Sequence, residues 1–278
     1  MKKRILAVLV NYGHEQLNYL EKVVNSLNSF KKYDITIVVH SNILLHEING
    51  IDKVTLFEKP TGIRTLNDFL IRHKLSKKWS GRLFNFNMLP MTCRKVIDEE
   101  AMNFDYFLFS ENDHLWHEHH IDRFIFYESI LPKNRIAGFL QYEINESGRF
   151  YPGYHGRFEW DFNSVEKHGG LLFAHFTNVH QASFLISQKQ LLSIKEKHDF
   201  SNFLSTDHYG LKPKANTDIY QYSGMKKLIC ISEFELNLVQ HLPNVYINGT
   251  KGRDKLRADE TRMQNSLDRL LNYDRDDR

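Results

Sequence analysis

Continuous apolar runs and stretches with apolar residues at every third or fourth position take turns along the amino-terminal part of the chain. Residues 4–10 (Arg-Ile-Leu-Ala-Val-Leu-Val) are almost wholly apolar and stop at Asn11-Tyr12-Gly13, the pattern of a strand buried on both faces. Over residues 16–30, Leu17, Leu20, Val23, Val24 and Leu27 fall on one face of a helix. Residues 34–40 repeat the buried-strand pattern and end in Ser41-Asn42. Residues 53–57 form a shorter run, stopped by Pro60 and Gly62. A second helix is predicted over 90–102, with Cys93, Val96, Ile97 and Ala101 aligned. The apolar, aromatic run 104–109 follows and breaks at Ser110 into Glu111-Asn112-Asp113-His114. This alternation predicts right-handed crossovers and an α/β fold with a mostly parallel sheet flanked by helices.

The carboxyl-terminal half is patterned less regularly. Residues 135–143 read as one strand ending in Glu143, and residues 145–160, rich in Gly and aromatics, as loops or a hairpin. A strand is expected at 182–186 and a helix at 189–197, whereas 201–222 is polar and broken by Gly210 and Pro213. Residues 227–231 form another strand, and 234–241 are extended or helical before the turn at Pro243-Asn244. Beyond Lys251 the chain is heavily charged, with Leu256, Met263, Leu267, Leu270 and Leu271 spaced for one amphipathic helix with a frayed end. There is no internal repeat and no low-complexity linker. The expected organisation is therefore a single domain over 1–250, with a change of texture near 145, and a charged helical tail over 251–278.

Side chains on an extended strand alternate, so Glu111 and Asp113 are expected to converge just beyond the strand end. Hard divalent cations such as Mg²⁺ or Mn²⁺ seek oxygen ligands of that kind, and in α/β sheets ligands gather at the carboxyl ends of strands. No Gly-rich loop follows the first strand, which removes both the dinucleotide fingerprint and the P-loop. His114, His117, His119 and His120 crowd around Glu118. Two pairs are spaced by three, none by four, and there is no H-E-x-x-H string, so a polar helix start is expected there in preference to a zinc site.

Composition narrows the setting. Hydrophobic content of 41% and charged content of 26% are those of an ordinary globular protein, and a net charge of +3 gives no case for nucleic acid as partner. The 13% aromatic share suits a thick core or a cleft that stacks planar rings. Cys93 and Cys230 both lie in apolar surroundings and are expected to be buried thiols in a reducing compartment. No apolar run approaches the roughly twenty residues that span a bilayer, and the start is too short for a secretory signal. A cytoplasmic protein is expected, with contact at a membrane surface and oligomeric state left open.

Several strings carry a resemblance. The first strand ends in Asn11-Tyr12, the second in Ser41-Asn42, and Asp105-Tyr106-Phe107 leads to Glu111-Asn112-Asp113. Together with Arg94, the run Gly138-Phe139-Leu140-Gln141-Tyr142-Glu143 and His241-Leu242-Pro243-Asn244, these resemble nucleotide-sugar glycosyltransferases of the GT-A (Rossmann-like) fold, in particular a bacterial and viral group. That group has Glu-Asp-Asp at the motif, so Asn112 departs from it. The resemblance covers most of residues 4–248 and implies a nucleotide-binding half over about 1–144 and an acceptor half over about 145–250.

It also implies roles. A Mn²⁺ or Mg²⁺ ion would sit on Asp113, with Glu111 bound directly or through water and His241 completing the shell. The ion would grip the diphosphate of a nucleotide-diphosphate sugar. Asn11, Tyr12, Ser41 and Asn42 would hold base and ribose, and the acceptor would be a glycan or other hydroxyl. Arg94 would meet phosphate or the motif; its bland reading is an ion pair with Asp98. An inverting transfer needs a general base, for which Asp218 and Glu143 compete, with Asp207 behind them; a retaining transfer needs none. Rival readings are a nucleotidyltransferase, which usually opens on a Gly-rich loop absent here, a zinc-dependent hydrolase built on the histidines, and a glycosyltransferase-like binding protein without turnover.

Overall fold

The computed structural model describes residues 2–45, 48–57, 88–154, 158–202, 209, 211–249 and 260–276, without the side chains of 211, 218, 222 and 273–276. Pro60, Gly62, Leu256 and Asp207 lie outside the described residues, as does the side chain of Asp218. In chain order the elements are β1 (Lys3–Asn11), α1 (Leu17–Asn28), β2 (Tyr33–Ser41), β3 (Lys53–Leu56), α2 (Leu89–Glu99), β4 (Tyr106–Glu111), β5 (His114–Leu115) and α3 (Glu118–Ile130). They continue with β6 (Arg135–Ala137), β7 (Leu140–Asn145), β8 (Gly148–Phe150), β9 (Trp160–His168), β10 (Leu171–Phe176), β11 (Ser183–Ser187) and α4 (Gln188–Lys195). The last are α5 (Leu211–Tyr222), β12 (Lys226–Cys230), a 3-10 turn at Phe234–Asn237, β13 (Leu238–His241) and α6 (Glu260–Asp276).

The chain divides into two units that it enters more than once: Met1–Asn112 with Ala182–Ser223, and Asp113–Gln181 with Gly224–Arg278. The first unit holds a five-stranded sheet in the order β11-β4-β1-β2-β3. β1 pairs in parallel with β2 and β4, β2 with β3, and only β11 runs antiparallel, against β4. Ile5 to Leu9 are buried without interruption, as an apolar strand covered on both faces requires. Leu20, Val23, Val24 and Leu27 form the buried stripe of α1. The register aligns Asn11 with Ser41 and Val10 with Glu111, so three strand ends share one edge.

The second unit departs from a mostly parallel plan. Its two four-stranded sheets are mixed, β6-β12-β10-β9 and β5-β13-β7-β8, and only the β6–β12 and β7–β13 pairs are parallel. The single strand expected over 135–143 is two strands in different sheets. Gly138 lies at the break, where a Cβ would come within 2.2 Å of Lys227 Cε, so the backbone passes too close to the buried lysine for any side chain. The region 145–160 opens with the β7–β8 hairpin, turned at Gly148 with φ of +112°.

The segment expected to be broken before 222 carries helix α5 instead. Pro213 falls in its first turn, where the missing N–H has no helical acceptor to lose. In helix α6, Met263, Leu267 and Leu270 join Trp160, Tyr154, Phe176 and Ile231 in one apolar cluster, whereas Leu271, expected on the same face, is exposed. Each such side chain contributes about 1.5–3 kcal/mol by burial. Cys93 and Cys230 are free and buried. Among the described residues no helix is long and apolar enough to cross a membrane.

Candidate metal centre

Asp113, His114 and His241 meet in the second unit, with one donor atom from each within 4.8 Å of the others, and all three are buried. The chain leaves β4 at Glu111 and turns through Asn112 and Asp113. His114 then opens β5, whose antiparallel register with β13 sets His241 directly opposite it. The two rings stack with centroids 5.1 Å apart. The backbone of Asp113 is pinned by the Leu242 N–H, which donates to its carbonyl at 2.9 Å. On the far side of β13 runs β7, where Gln141 and Glu143 are two residues apart and share a face.

Each imidazole has one edge toward Asp113 and one toward β7. His241 Nε2 lies 3.4 Å from Asp113 Oδ2, and its Nδ1 lies 2.6 Å from Glu143 Oε1. Glu143 is wholly buried, and its Oε2 accepts the backbone N–H groups of Tyr246 and Ile247 at 2.9 and 2.7 Å. His114 Nδ1 lies 3.1 Å from Asp113 Oδ1, while the Gln141 amide lies 2.6 Å from His114 Nε2. Burial alone would raise the Asp113 pKa, but the two imidazoles outweigh it and hold the carboxyl well below the ordinary range. For His241 burial alone would lower the pKa; Asp113 and Glu143 overcome it and raise the ring to about 9. The arrangement stabilises positive charge at one buried point.

That point fits a divalent cation. Asp113 Oδ1 and His114 Nδ1 lie 3.1 Å apart, and among the described residues neither atom has another hydrogen-bond partner. The Gln141 amide N–H donates to His114 Nε2, which leaves the proton of a neutral His114 on Nδ1, facing Asp113 Oδ1, so that ring ligates an ion only after the Gln141 amide turns. Donors about 2.1 Å from an ion stand about 3.0–3.4 Å from each other at octahedral to tetrahedral angles. The separations of 3.1 and 3.4 Å fall in that range, each measured to a different oxygen of Asp113.

The sequence-derived candidates distribute unevenly around this centre. Asp113 and His241 lie together in the group. Glu111 does not belong to the converged group: the turn at Asn112–Asp113 interrupts the alternation that would have paired them, and Glu111 ends β4 in the first unit. His114 takes the third place. It was legible only as part of a histidine-rich stretch, because its partnership with His241 depends on a long-range register. Glu143 stands behind His241, with both oxygens engaged, where a free general base was expected. Its neighbour Gln141 carried no signal of its own.

The remaining histidines form a helix start. His117 is the N-cap of α3, and its N–H donates to His120 Nδ1 at 3.0 Å. His120 Nε2 contacts the Leu238 carbonyl at 3.0 Å. Both nitrogens of that ring are therefore used within the fold.

In the first unit, the nucleotide-site candidates form a hydrogen-bonded chain across the strand ends. Asn112 donates to Asn11 Oδ1 at 2.7 Å, and Asn11 donates to Ser41 Oγ and the Gly13 carbonyl, each at 3.1 Å. Asn42 Oδ1 accepts the Gly13 N–H at 2.8 Å. Asn112, the departure from an acid at this place, is thus the donor that sets the Asn11 amide. Tyr12 is 61% exposed, whereas Asn11 and Ser41 are buried. Arg94 is also buried, its guanidinium 4.7 Å from the Phe200 ring centre. Asp98 pairs with Lys195 at 2.8 Å, which displaces the surface ion pair with Arg94 as the bland reading.

No family model matches the sequence, and no curated protein matches it. Among solved structures, S. aureus TarS 1-349 aligns with 98% of this chain and 71% of its own, at 12% identity and a TM-score of 0.42. A second structure of S. aureus TarS aligns with 82% of this chain and 35% of its own, at the same identity and TM-score. Likeness at that level carries no argument about function, which rests on the residues themselves.

Proposed function

We propose that the protein is a metal-assisted glycosyltransferase that moves a sugar from a nucleotide-diphosphate donor to a hydroxyl on a glycan or other acceptor. The observation that carries this reading is the buried grouping of the Asp113 carboxylate with the His114 and His241 imidazoles. Asp113, His114 and His241 would hold a divalent cation there, and Glu143 would fix His241. Such an ion neutralises diphosphate oxygens and stabilises the charge that develops as a nucleotide leaves. The strand ends bearing Asn11, Tyr12, Ser41 and Asn42 are assigned to base and ribose, following the resemblance. Arg94 then acts behind the strand ends and not on phosphate directly, in keeping with its burial. With both oxygens of Glu143 engaged, the general base of an inverting transfer falls to Asp218.

A donor set of two imidazoles and one carboxylate also suits a zinc-dependent hydrolase, the second reading. One assay separates them. A panel of nucleotide-sugars is incubated with and without a glycan acceptor mixture, and with the metal removed and restored. The transferase reading expects metal-dependent release of nucleoside diphosphate that rises with acceptor. Release of sugar to water alone, unaffected by acceptor, would favour the hydrolase; no metal-dependent turnover of any donor would remove the transferase reading.

A further inference from the structure

We infer that Asn244 is a positioning residue: its amide clasps the end of β7, and the turn it opens holds Glu143 against His241. For its bearing on turnover this rests on the metal-assisted reading, to which it adds a residue that touches neither ion nor substrate.

The β7–β13 ladder ends before it reaches Glu143. Its paired residues run from Leu140 with Leu238 to Tyr142 with Gln240, and β13 closes at His241 before the chain turns at Leu242 and Pro243. Beyond that point the Asn244 side chain does what a neighbouring strand would do. Its Oδ1 accepts the Ile144 N–H at 3.2 Å, and its Nδ2 donates to the Ile144 carbonyl at 2.8 Å. A primary amide carries an acceptor and donors in one plane, so it can serve both backbone groups of one residue. The two partners also fix which end of the amide is oxygen. The backbone suits the same residue: Asn244 has φ of +51°, in the left-handed region that Asn tolerates better than most side chains.

The turn that follows is closed by the Asn248 N–H, which donates to the Asn244 carbonyl at 3.2 Å. It directs the N–H groups of Tyr246 and Ile247 at Glu143 Oε2, and Asn248 Oδ1 accepts from Asn145 Nδ2 at 3.1 Å. Glu143, Ile144 and Asn145 are thus each held by one turn, and all these residues belong to the second unit. With two donors on Oε2, the other carboxylate oxygen of Glu143 is left for His241 Nδ1, 2.6 Å away. Hydrogen bonds to a carboxylate are strong, and a partner behind a ligating histidine sets the orientation of its ring. Removing the Asn244 amide releases the turn from β7 and loosens the donors that aim the carboxylate.

The test follows the His241 ring by nuclear magnetic resonance in the full-length, metal-free chain labelled with histidine nitrogen, with His241→Gln used only to assign its signals. A short contact between an N–H and a buried carboxylate is expected to give a downfield Nδ1 proton that exchanges slowly with water. Asn244→Gly keeps the left-handed backbone and removes the amide. It should speed exchange of that proton and weaken Mn²⁺ and Zn²⁺ binding, measured by calorimetry, each by about tenfold, the lower end of the range for groups behind a ligand. A residue with a structural role alone would lower the urea midpoint and leave the resonance as in wild type. That result, or a wild type without the resonance, would overturn the inference. Asn244→Asp keeps the acceptor for the Ile144 N–H and loses the donor, so its exchange should fall between the two. If Asn244→Gly fails to fold, wild-type exchange in Asn244→Asp overturns the inference. Faster exchange with wild-type metal affinity would overturn the link to the metal centre. A wild type that binds no divalent ion, yet shows the Asn244-dependent resonance, would remove the metal-assisted reading and support the clasp.

Discussion

His40 and His241 carry the same side chain into opposite electrostatic situations. His241 stands between two carboxylates and favours positive charge, whereas among the described residues His40 is hydrogen-bonded to two hydroxyls and edges the Phe57 ring. Thr92 Oγ1 donates its proton to the Leu89 carbonyl, so His40 must donate to Thr92 through Nε2, at 2.7 Å. Its Nδ1 is then left to accept from Thr55 Oγ1, also at 2.7 Å. Burial lowers its pKa from 6.5 to about 4. Because the folded value lies below the unfolded one, the contribution of a neutral His40 is complete above pH 6.5. It declines as pH falls from 6.5 toward 4, where the unfolded chain binds the proton and the folded chain does not. The loss reaches at most about 3 kcal/mol near pH 4. Comparing urea midpoints of wild type and His40→Gln at pH 7.5 and 5.0 checks this: the wild type should lose more stability on acidification than the variant. Equal losses would show that His40 does not titrate as its surroundings imply.

Among the elements, the site depends on where the backbone breaks. Gly138 lets β6 end against β12, so that β7 starts afresh in another sheet and brings Gln141 and Glu143 behind the histidines. Gly138→Ala would force a methyl into the aliphatic part of buried Lys227. Overpacking of that kind costs about 1–3 kcal/mol. The expected outcome is a lower unfolding midpoint together with weaker metal binding, measured by urea titration and calorimetry; an unchanged midpoint would mean that the chain can relax around the methyl.

The same break marks the limit of what pattern reading recovers. The strands of the first unit and helix α1 were legible because continuous apolar runs and a clean helical stripe are local signals. Splitting 135–143 was not legible, because the reason lies at Lys227, far along the chain. The β9–β10 hairpin has a local sign in Gly169-Gly170. Both glycines adopt positive φ, +57° and +83°, as a tight two-residue turn requires. Asp113 and His241 could be named from their neighbours in sequence. His114 as their partner could not, since it follows from the β5–β13 register.

Over the whole molecule, the chain passes from one unit to the other between Asn112 and Asp113, in the middle of its acidic motif. Asn112 ties three strand ends of the first unit, and Asp113 begins the candidate metal centre of the second. Helix α6 belongs to this design as well: its apolar face closes over Trp160 and Tyr154, with Arg262 3.8 Å from the Tyr154 ring centre. The central claim is that Asp113, His114 and His241 hold a divalent ion that recruits a nucleoside diphosphate. Calorimetric titration of the four common nucleoside diphosphates into the metal-free chain, then into the same chain with Mn²⁺ or Zn²⁺, tests it most directly. Binding of at least one nucleotide is expected only with metal present, and it should vanish in Asp113→Ala while the unfolding midpoint of that variant stays measurable. Metal-independent binding, or metal-dependent binding that survives in Asp113→Ala, would contradict the account.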